Sequence, residues 1–149
     1  MDVSSVIYLA GLVDGDGSIF ISRRNDRSGY HHGKYRLFLS VSNQNKDLLD
    51  HLGGIWERAR VYWQATNYRA GRISWEGPKA QEVIKLLESY LVGKKKQAQL
   101  ALSFPCTGKG NYTEESQALQ ENLFALMREA NQKWSKGKTR KDVLCADLI

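Results

Sequence analysis

Cysteine and proline are scarce in this chain of 149 residues, with two of each. Cys106 and Cys145 stand too far apart for a metal knuckle and are too few for a disulfide framework. That excludes the small stapled scaffolds and points to free thiols in a reducing compartment. No apolar run approaches the roughly 20 residues that a membrane span needs. The opening MDVSSV lacks the basic start of a secretory signal, so neither export nor a membrane partner is expected. Repeats and low-complexity segments are missing too. Acids are in deficit: 22 Lys and Arg stand against 16 Asp and Glu, giving a net charge of +6 and a pI near 9.4. Such a surplus suits a polyanionic partner. With 42% hydrophobic residues, the chain reads as one globular domain, 1–149, long enough for a real core.

What is present alternates between two periodicities. Ser4 or Ser5 caps an apolar helix over Val6–Val13, and Gly15 and Gly17 stop it. From there the period is two. Ile19 and Ile21 share one face, with Phe20, Ser22 and Arg24 on the other. After the turn-rich DRSGYHHG, Tyr35, Leu37, Leu39 and Val41 oppose Lys34, Arg36, Phe38 and Ser40, which predicts a hairpin. Asn45 caps a short helix, KDLLDHL, ended by Gly53-Gly54. IWERARVYWQ alternates again, with Ile55, Ala59, Val61 and Trp63 against Trp56, Arg58, Arg60, Tyr62 and Gln64. RISWEG returns with Ile73 and Trp75 inward. Pro78 suits the first turn of a helix over AQEVIKLLESYL, and KKKQAQLALSF is a further helix stopped by Pro105. Thr113, with Gln117 or Glu114 and Glu115, opens a long helix. A basic stretch, WSKGKTRK, and a short amphipathic helix, DVLCADLI, follow.

Two hairpins with intervening helices predict an α+β domain: an antiparallel sheet covered by helices on one face. The other face collects Arg24, Lys34, Arg36, Arg58, Arg60 and Arg72, interleaved with Ser22, Phe38, Ser40, Tyr62, Gln64 and Ser74. It is almost devoid of acids, whereas a merely solvated face mixes both signs. A two-stranded ribbon of that kind fits the DNA major groove, where Arg and Lys reach guanine edges. His31, His32 and His51 read as surface or tip residues rather than metal ligands, and the tryptophans mainly as packing, with Trp56 the possible exception.

The stretch IYLAGLVDGDGSIFIS poses the sharpest question. Asp14 and Asp16 end an apolar helix, where the macrodipole already places partial negative charge, so something positive must compensate. A calcium loop of the EF-hand type fails on spacing, because it requires Gly at Ile19 and Glu at Asn25. One carboxylate capping a turn is the simpler reading, but it leaves the small residues unexplained. Gly11 costs about 1 kcal/mol in a helix interior relative to Ala. The spacing Gly11-x-x-x-Gly15 suits close approach of a second helix.

Tyr8 to Ser18, YLAGLVDGDGS, resembles the signature of the LAGLIDADG homing endonucleases. Leu9 to Gly17 match its nine positions, with Val13 and Gly15 the conservative departures. The likeness extends over both hairpins, the helix YLVGKKKQAQLAL and the tail GKTRK, as in single-motif, intron-encoded members. It implies a saddle-like DNA-binding sheet and a motif helix at the axis of a homodimer, with Tyr8, Gly11, Asp14 and Gly15 at the interface. It also implies metal-dependent hydrolysis of both strands of a long pseudo-palindromic double-stranded DNA, with no small-molecule substrate. Asp16 then holds Mg²⁺, with Mn²⁺ as a substitute, and the Gly15 carbonyl is a second ligand. Asp14 supports the turn and interface. Asn43 orients the water network, with Gln44 a rival because relatives often carry Gln there.

Lys94 matches the active-site lysine of the family; without the likeness, Lys94, Lys95 and Lys96 read equally as a solvated turn. The tail, 133–149, with Lys138, Thr139, Arg140 and Lys141, then clamps phosphates. The resemblance implies an intracellular, organellar setting, chloroplast or mitochondrion. A non-cleaving nucleic-acid-binding member of the fold, such as an RNA maturase, is the alternative, and the intact Asp16 argues against it. A basic structural protein such as a ribosomal component explains the charge but not DGDG.

Overall fold

Alternating apolar residues and well-placed capping groups set most of the elements. The computed structural model describes residues 2–23, 35–56, 59–63, 70–106 and 113–135, with the side chains of 63 and 133–135 outside that description. In chain order the elements are α1 (Val3–Asp16), β1 (Gly17–Arg23), β2 (Tyr35–Asn43), α2 (Lys46–Ile55), β3 (Arg60–Trp63) and β4 (Gly71–Glu76). Then come α3 (Pro78–Leu87), α4 (Lys95–Leu102) and α5 (Glu114–Ser135). The strands form one antiparallel sheet in the order β1-β2-β4-β3, so the two hairpins meet through β2 and β4. Both hairpin tips and residues 136–149, which hold most of the basic tail and the terminal DVLCADLI with Cys145, fall outside the described residues. This is the α+β architecture that the alternation predicts.

Period two sorts the sheet into two faces. Ile19, Ile21, Tyr35, Leu37, Leu39, Val41, Ile73 and Trp75 are all buried, and helices pack over them. The α1 residues Val6, Leu9, Ala10 and Val13 enter the same core. At the sheet edge, the Ile19 carbonyl accepts from Asn131 Nδ2 at 3.0 Å, so α5 closes the bare side of β1. Gln97, buried in α4, donates from Nε2 to Asn131 Oδ1 at 3.4 Å. Among the described residues, no helix is long and apolar enough to cross a membrane. Cys106 is free and partly buried, and burial pushes its thiol up to about 11.

Several boundaries differ from the sequence expectation. Asp2, not Ser4 or Ser5, caps α1: its carboxylate accepts from Ser4 N–H at 3.1 Å. The helix runs through Gly15 and stops only at Gly17, where the chain doubles back tightly. A Cβ there would sit 2.5 Å from Val13 Cα, a clash only glycine avoids. Gly53-Gly54 does not end α2, which continues to Ile55; a Cβ on Gly53 would already meet Val61 Cγ2 at 3.0 Å. Strand β3 therefore begins at Arg60 rather than Ile55, and Trp56 turns inward, 2% exposed and edge-to-face with Trp75 at 6.1 Å. Helix α4 ends at Leu102, ahead of Pro105, where Gln81 Nε2 donates to the carbonyls of Ala101, Leu102 and Phe104. At the start of α5 Thr113 engages Ser116 as well as Gln117, whose N–H donates to the Thr113 carbonyl at 3.1 Å. The Thr113 and Ser116 hydroxyls each accept from the other's backbone N–H at 3.1 Å.

Asn45 behaves as expected, accepting from Leu48 N–H at 3.1 Å. Asn45→Ala leaves that donor unpaired and should lower stability by about 1 kcal/mol, read as a lower denaturation midpoint with an unchanged denaturant slope.

Candidate active site and nucleic-acid interface

The two carboxylates at the end of α1 have different surroundings. Asp14 points back into the protein. Its Oδ2 accepts from the backbone N–H groups of Val92 at 2.8 Å and Gly93 at 3.2 Å, and its Oδ1 from that of Lys94 at 2.9 Å. Those donors lead into α4, where the macrodipole places partial positive charge, so the C-terminus of one helix meets the N-terminus of another through a carboxylate. Asp16 is exposed, and its Oδ2 accepts from Asn43 Nδ2 at 2.9 Å.

Asn43 stands at the end of β2 and is oriented from its other side. Its Oδ1 accepts from Asn45 N–H at 2.8 Å, so the amide nitrogen must face Asp16. Gln44, the rival, is exposed one residue further on. Lys94 is only 5% exposed, unlike the exposed Lys95 and Lys96. Its Nζ donates to the Asp14 carbonyl at 2.8 Å, one of the helix-end carbonyls that lack an intrahelical partner. The Gly15 carbonyl belongs to the same last turn. Asp16, Asn43 and Lys94, spaced far apart in sequence, are thus gathered around one helix end. Among the described residues, no three His, Cys, Asp or Glu side chains converge on a point that would hold a metal.

On the outward face of the sheet, the register sets a grid. Phe20 pairs with Phe38 and Phe38 with Glu76; Ser40 pairs with Ser74 and Ser74 with Arg60; Arg72 pairs with Tyr62. The Phe20 and Phe38 rings stack at 5.2 Å, and the Arg72 guanidinium lies 6.0 Å from the Tyr62 ring centre. A shallow concavity of about 240 Å³ opens between these side chains, with Ser22 at its border.

The expectation of a face almost devoid of acids needs correction. Glu76 sits on it, pairing with Arg36 at 3.0 Å and Arg60 at 3.3 Å. Its parity with Arg72 and Ser74 in RISWEG was the available signal. Phe20 was likewise absent from the expected binding set, although it alternates with Ser22. Trp56 belongs to the core, not to this face. Arg24, Lys34, Arg58, Gln64, Lys138, Thr139, Arg140 and Lys141 lie outside the described residues.

The outer face of α1 is apolar and exposed. Val3, Ile7 and Tyr8 are 59%, 50% and 49% accessible. A Cβ added at Gly11 or Gly15 would meet nothing within 4 Å. Nothing in the described chain accounts for either missing side chain.

Sheet order, one-sided helical cover and an acidic helix end define the saddle-shaped α+β class. The chain belongs to the LAGLIDADG endonuclease family, whose sequence model matches residues 9–103. Several solved structures share the fold. The homing endonuclease I-CvuI in complex with its target is 25% identical, with 88% of this chain and 94% of that one aligned at a TM-score of 0.58. The archaeal intron-encoded homing endonuclease I-Vdi141I, complexed with DNA, is 16% identical over 93% of this chain and 88% of that one, at 0.67. The meganuclease I-AabMI, bound to uncleaved DNA, is 20% identical over 80% of this chain but 43% of its own, at 0.63. No curated protein sequence matches the chain.

Burial pushes the Lys94 ammonium below its ordinary 10.5, against the pull of Asp14 and then Asp16. The unfolded chain therefore holds that proton more tightly, and stability should rise as pH approaches 10.5 from below. Lys94→Met removes this titration. Unfolding measured from neutral pH towards 10.5 should show the wild type gaining stability relative to the variant.

Proposed function

We propose that this protein is a site-specific homing endonuclease that binds a long pseudo-palindromic duplex as a homodimer and hydrolyses both DNA strands with a divalent cation. The observation that carries this reading is the division of labour between Asp14 and Asp16. Three backbone donors engage Asp14, which leaves Asp16 as the exposed carboxylate, oriented by Asn43 and close to a buried lysine. Family membership and the DNA-bound relatives support the same conclusion.

The donors present fit a hard cation such as Mg²⁺, with Mn²⁺ as a substitute: the exposed Asp16 carboxylate, one oxygen of which Asn43 holds, and the Gly15 carbonyl in the last turn of α1. When bound, such an ion polarises a phosphate oxygen and makes a coordinated water more acidic. One chain offers too few oxygens alone, so the remaining ligands would come from phosphates and a second copy. Asn43 holds one oxygen of Asp16 and thereby aims the other. Lys94, kept on the Asp14 carbonyl, places positive charge where the scissile phosphate gains negative charge. The outward sheet face, with Arg36, Phe38, Ser40, Arg60, Tyr62, Arg72 and Ser74, follows the major groove, and the basic tail contacts phosphates.

The homodimer rests on α1. Two glycines with open space beside them, on an exposed apolar face, suit a second copy of the same helix crossing at close range. That arrangement also brings two Asp16 carboxylates to neighbouring sites.

Asp16→Asn should abolish cleavage of a plasmid target in Mg²⁺ while leaving duplex affinity within a few fold. Asn43→Ala should slow cleavage without abolishing it. Cleavage by Asp16→Asn at the wild-type rate would refute the assignment. Gly11→Leu should yield a folded monomer, seen by sedimentation, that cleaves nothing; a wild-type chain that stays monomeric on DNA would overturn the homodimer.

A further inference from the structure

Glu76 is the unexpected group on the sheet face. An acid on a face proposed to meet phosphates weakens their attraction, so some other gain must justify it. The core gives no such reason, since the side chain lies on the solvent side. Stability is a modest gain here: Glu76 and Arg36 are each 28% exposed and Arg60 is 63% exposed, so both ion pairs are partly screened by solvent.

We propose that Glu76 is a positioning residue for base recognition: it clamps Arg36 and Arg60 in the orientations from which they read neighbouring base pairs. The proposal rests on the reading of the protein as a DNA-cleaving enzyme and deepens it. In the register, Glu76 of β4 sits opposite Phe38 of β2, so Arg36 is its diagonal neighbour on one side. Ser74 sits opposite Arg60 of β3, so Arg60 is the diagonal neighbour on the other. The two carboxylate oxygens are divided between them: Oε2 takes Arg36 Nη1 at 3.0 Å and Oε1 takes Arg60 Nη1 at 3.3 Å.

A guanidinium carries five N–H donors in a fixed fork. Arg36, engaged through Nη1, keeps its remaining donors to face a base edge, and Arg60 is steadied from a second side by a side-chain hydrogen bond to Tyr62. Long, flexible side chains lose conformational freedom when they bind, and ordering them beforehand moves that cost from binding to folding. Displacing water from the groove then strengthens the clamp, because the same charges interact in a lower dielectric. Arg72 lies against the Tyr62 ring and is not paired with Glu76 itself.

The test is selection of bound sites from a randomised duplex library by wild type, Glu76→Gln, Arg36→Ala and Arg60→Ala. The two arginine variants identify the positions each side chain reads. Glu76→Gln should keep the wild-type unfolding midpoint and bind random duplex more tightly, since a negative charge is gone. Its base preference should fall on the order of tenfold at the Arg36 and Arg60 positions, symmetrically in both half-sites, and persist at those read by Arg72. Unchanged preference at the Arg36 and Arg60 positions would overturn the proposal. So would a loss confined to a cytosine position that neither arginine variant affects, which would make Glu76 a direct reader. Should the wild type enrich no sequence at all, the DNA-cleaving reading fails, and the proposal with it. Enrichment by the wild type with unaltered preference in Glu76→Gln sinks only the proposal.

Discussion

The carboxylate of Asp14, accepting three consecutive backbone N–H groups, is the contact around which the site is organised. A carboxylate at a helix C-terminus is unfavourable by itself, because the last carbonyls already carry partial negative charge. Here the start of α4 supplies the opposite partial charge, and hydrogen bonds to an ionised acceptor are roughly twice as strong as neutral ones. The contact fixes where α1 ends relative to α4. It also places Lys94, whose backbone is the third donor, so that its ammonium reaches the Asp14 carbonyl. With one acid committed in this way, the other is left exposed.

The sheet depends on that junction at one end and on α5 at the other. Gly17 lets β1 leave the end of α1 without clashing with Val13, which carries the acidic helix end directly into the sheet. Asn131 then satisfies the Ile19 carbonyl at the edge, and Gln97 links the same amide to α4. Each hydrogen bond across elements ties the sheet to the acidic helix end, so the outward sheet face and Asp16 keep a fixed spacing. Such fixed spacing is what the proposed cut at a defined position within a bound site demands.

Much of this was legible beforehand because it depends on local periodicity. Ile19, Ile21, Leu37, Leu39, Val41, Ile73 and Trp75 fell inward as alternation requires, and Pro78 opened its helix. The errors came where tertiary packing overrode local signals. Gly53-Gly54 reads as a stop, yet the helix continues, because Gly53 serves the approach of Val61. Trp56 alternates outward in the string, but the helix before it shifts the phase and turns the ring onto Trp75. A terminal Asp2 competed successfully with two serines for one cap.

For the site, the sequence determined which chemical groups exist: the DGDG carboxylates, a lysine at the head of KKKQ, an amide after the second strand and a glycine-spaced helix. Spacing alone left Lys94 indistinguishable from Lys95 and Lys96, because position along a charged run says nothing of burial. Only the fold decided that one of them is enclosed beside Asp14 while its neighbours face water. In the same way, the string placed an acid in RISWEG, but pairing across three strands made Glu76 the partner of two arginines. Local pattern fixes which face a side chain takes. Which groups it meets there depends on long-range register and helix contacts, and these form only when the whole chain packs.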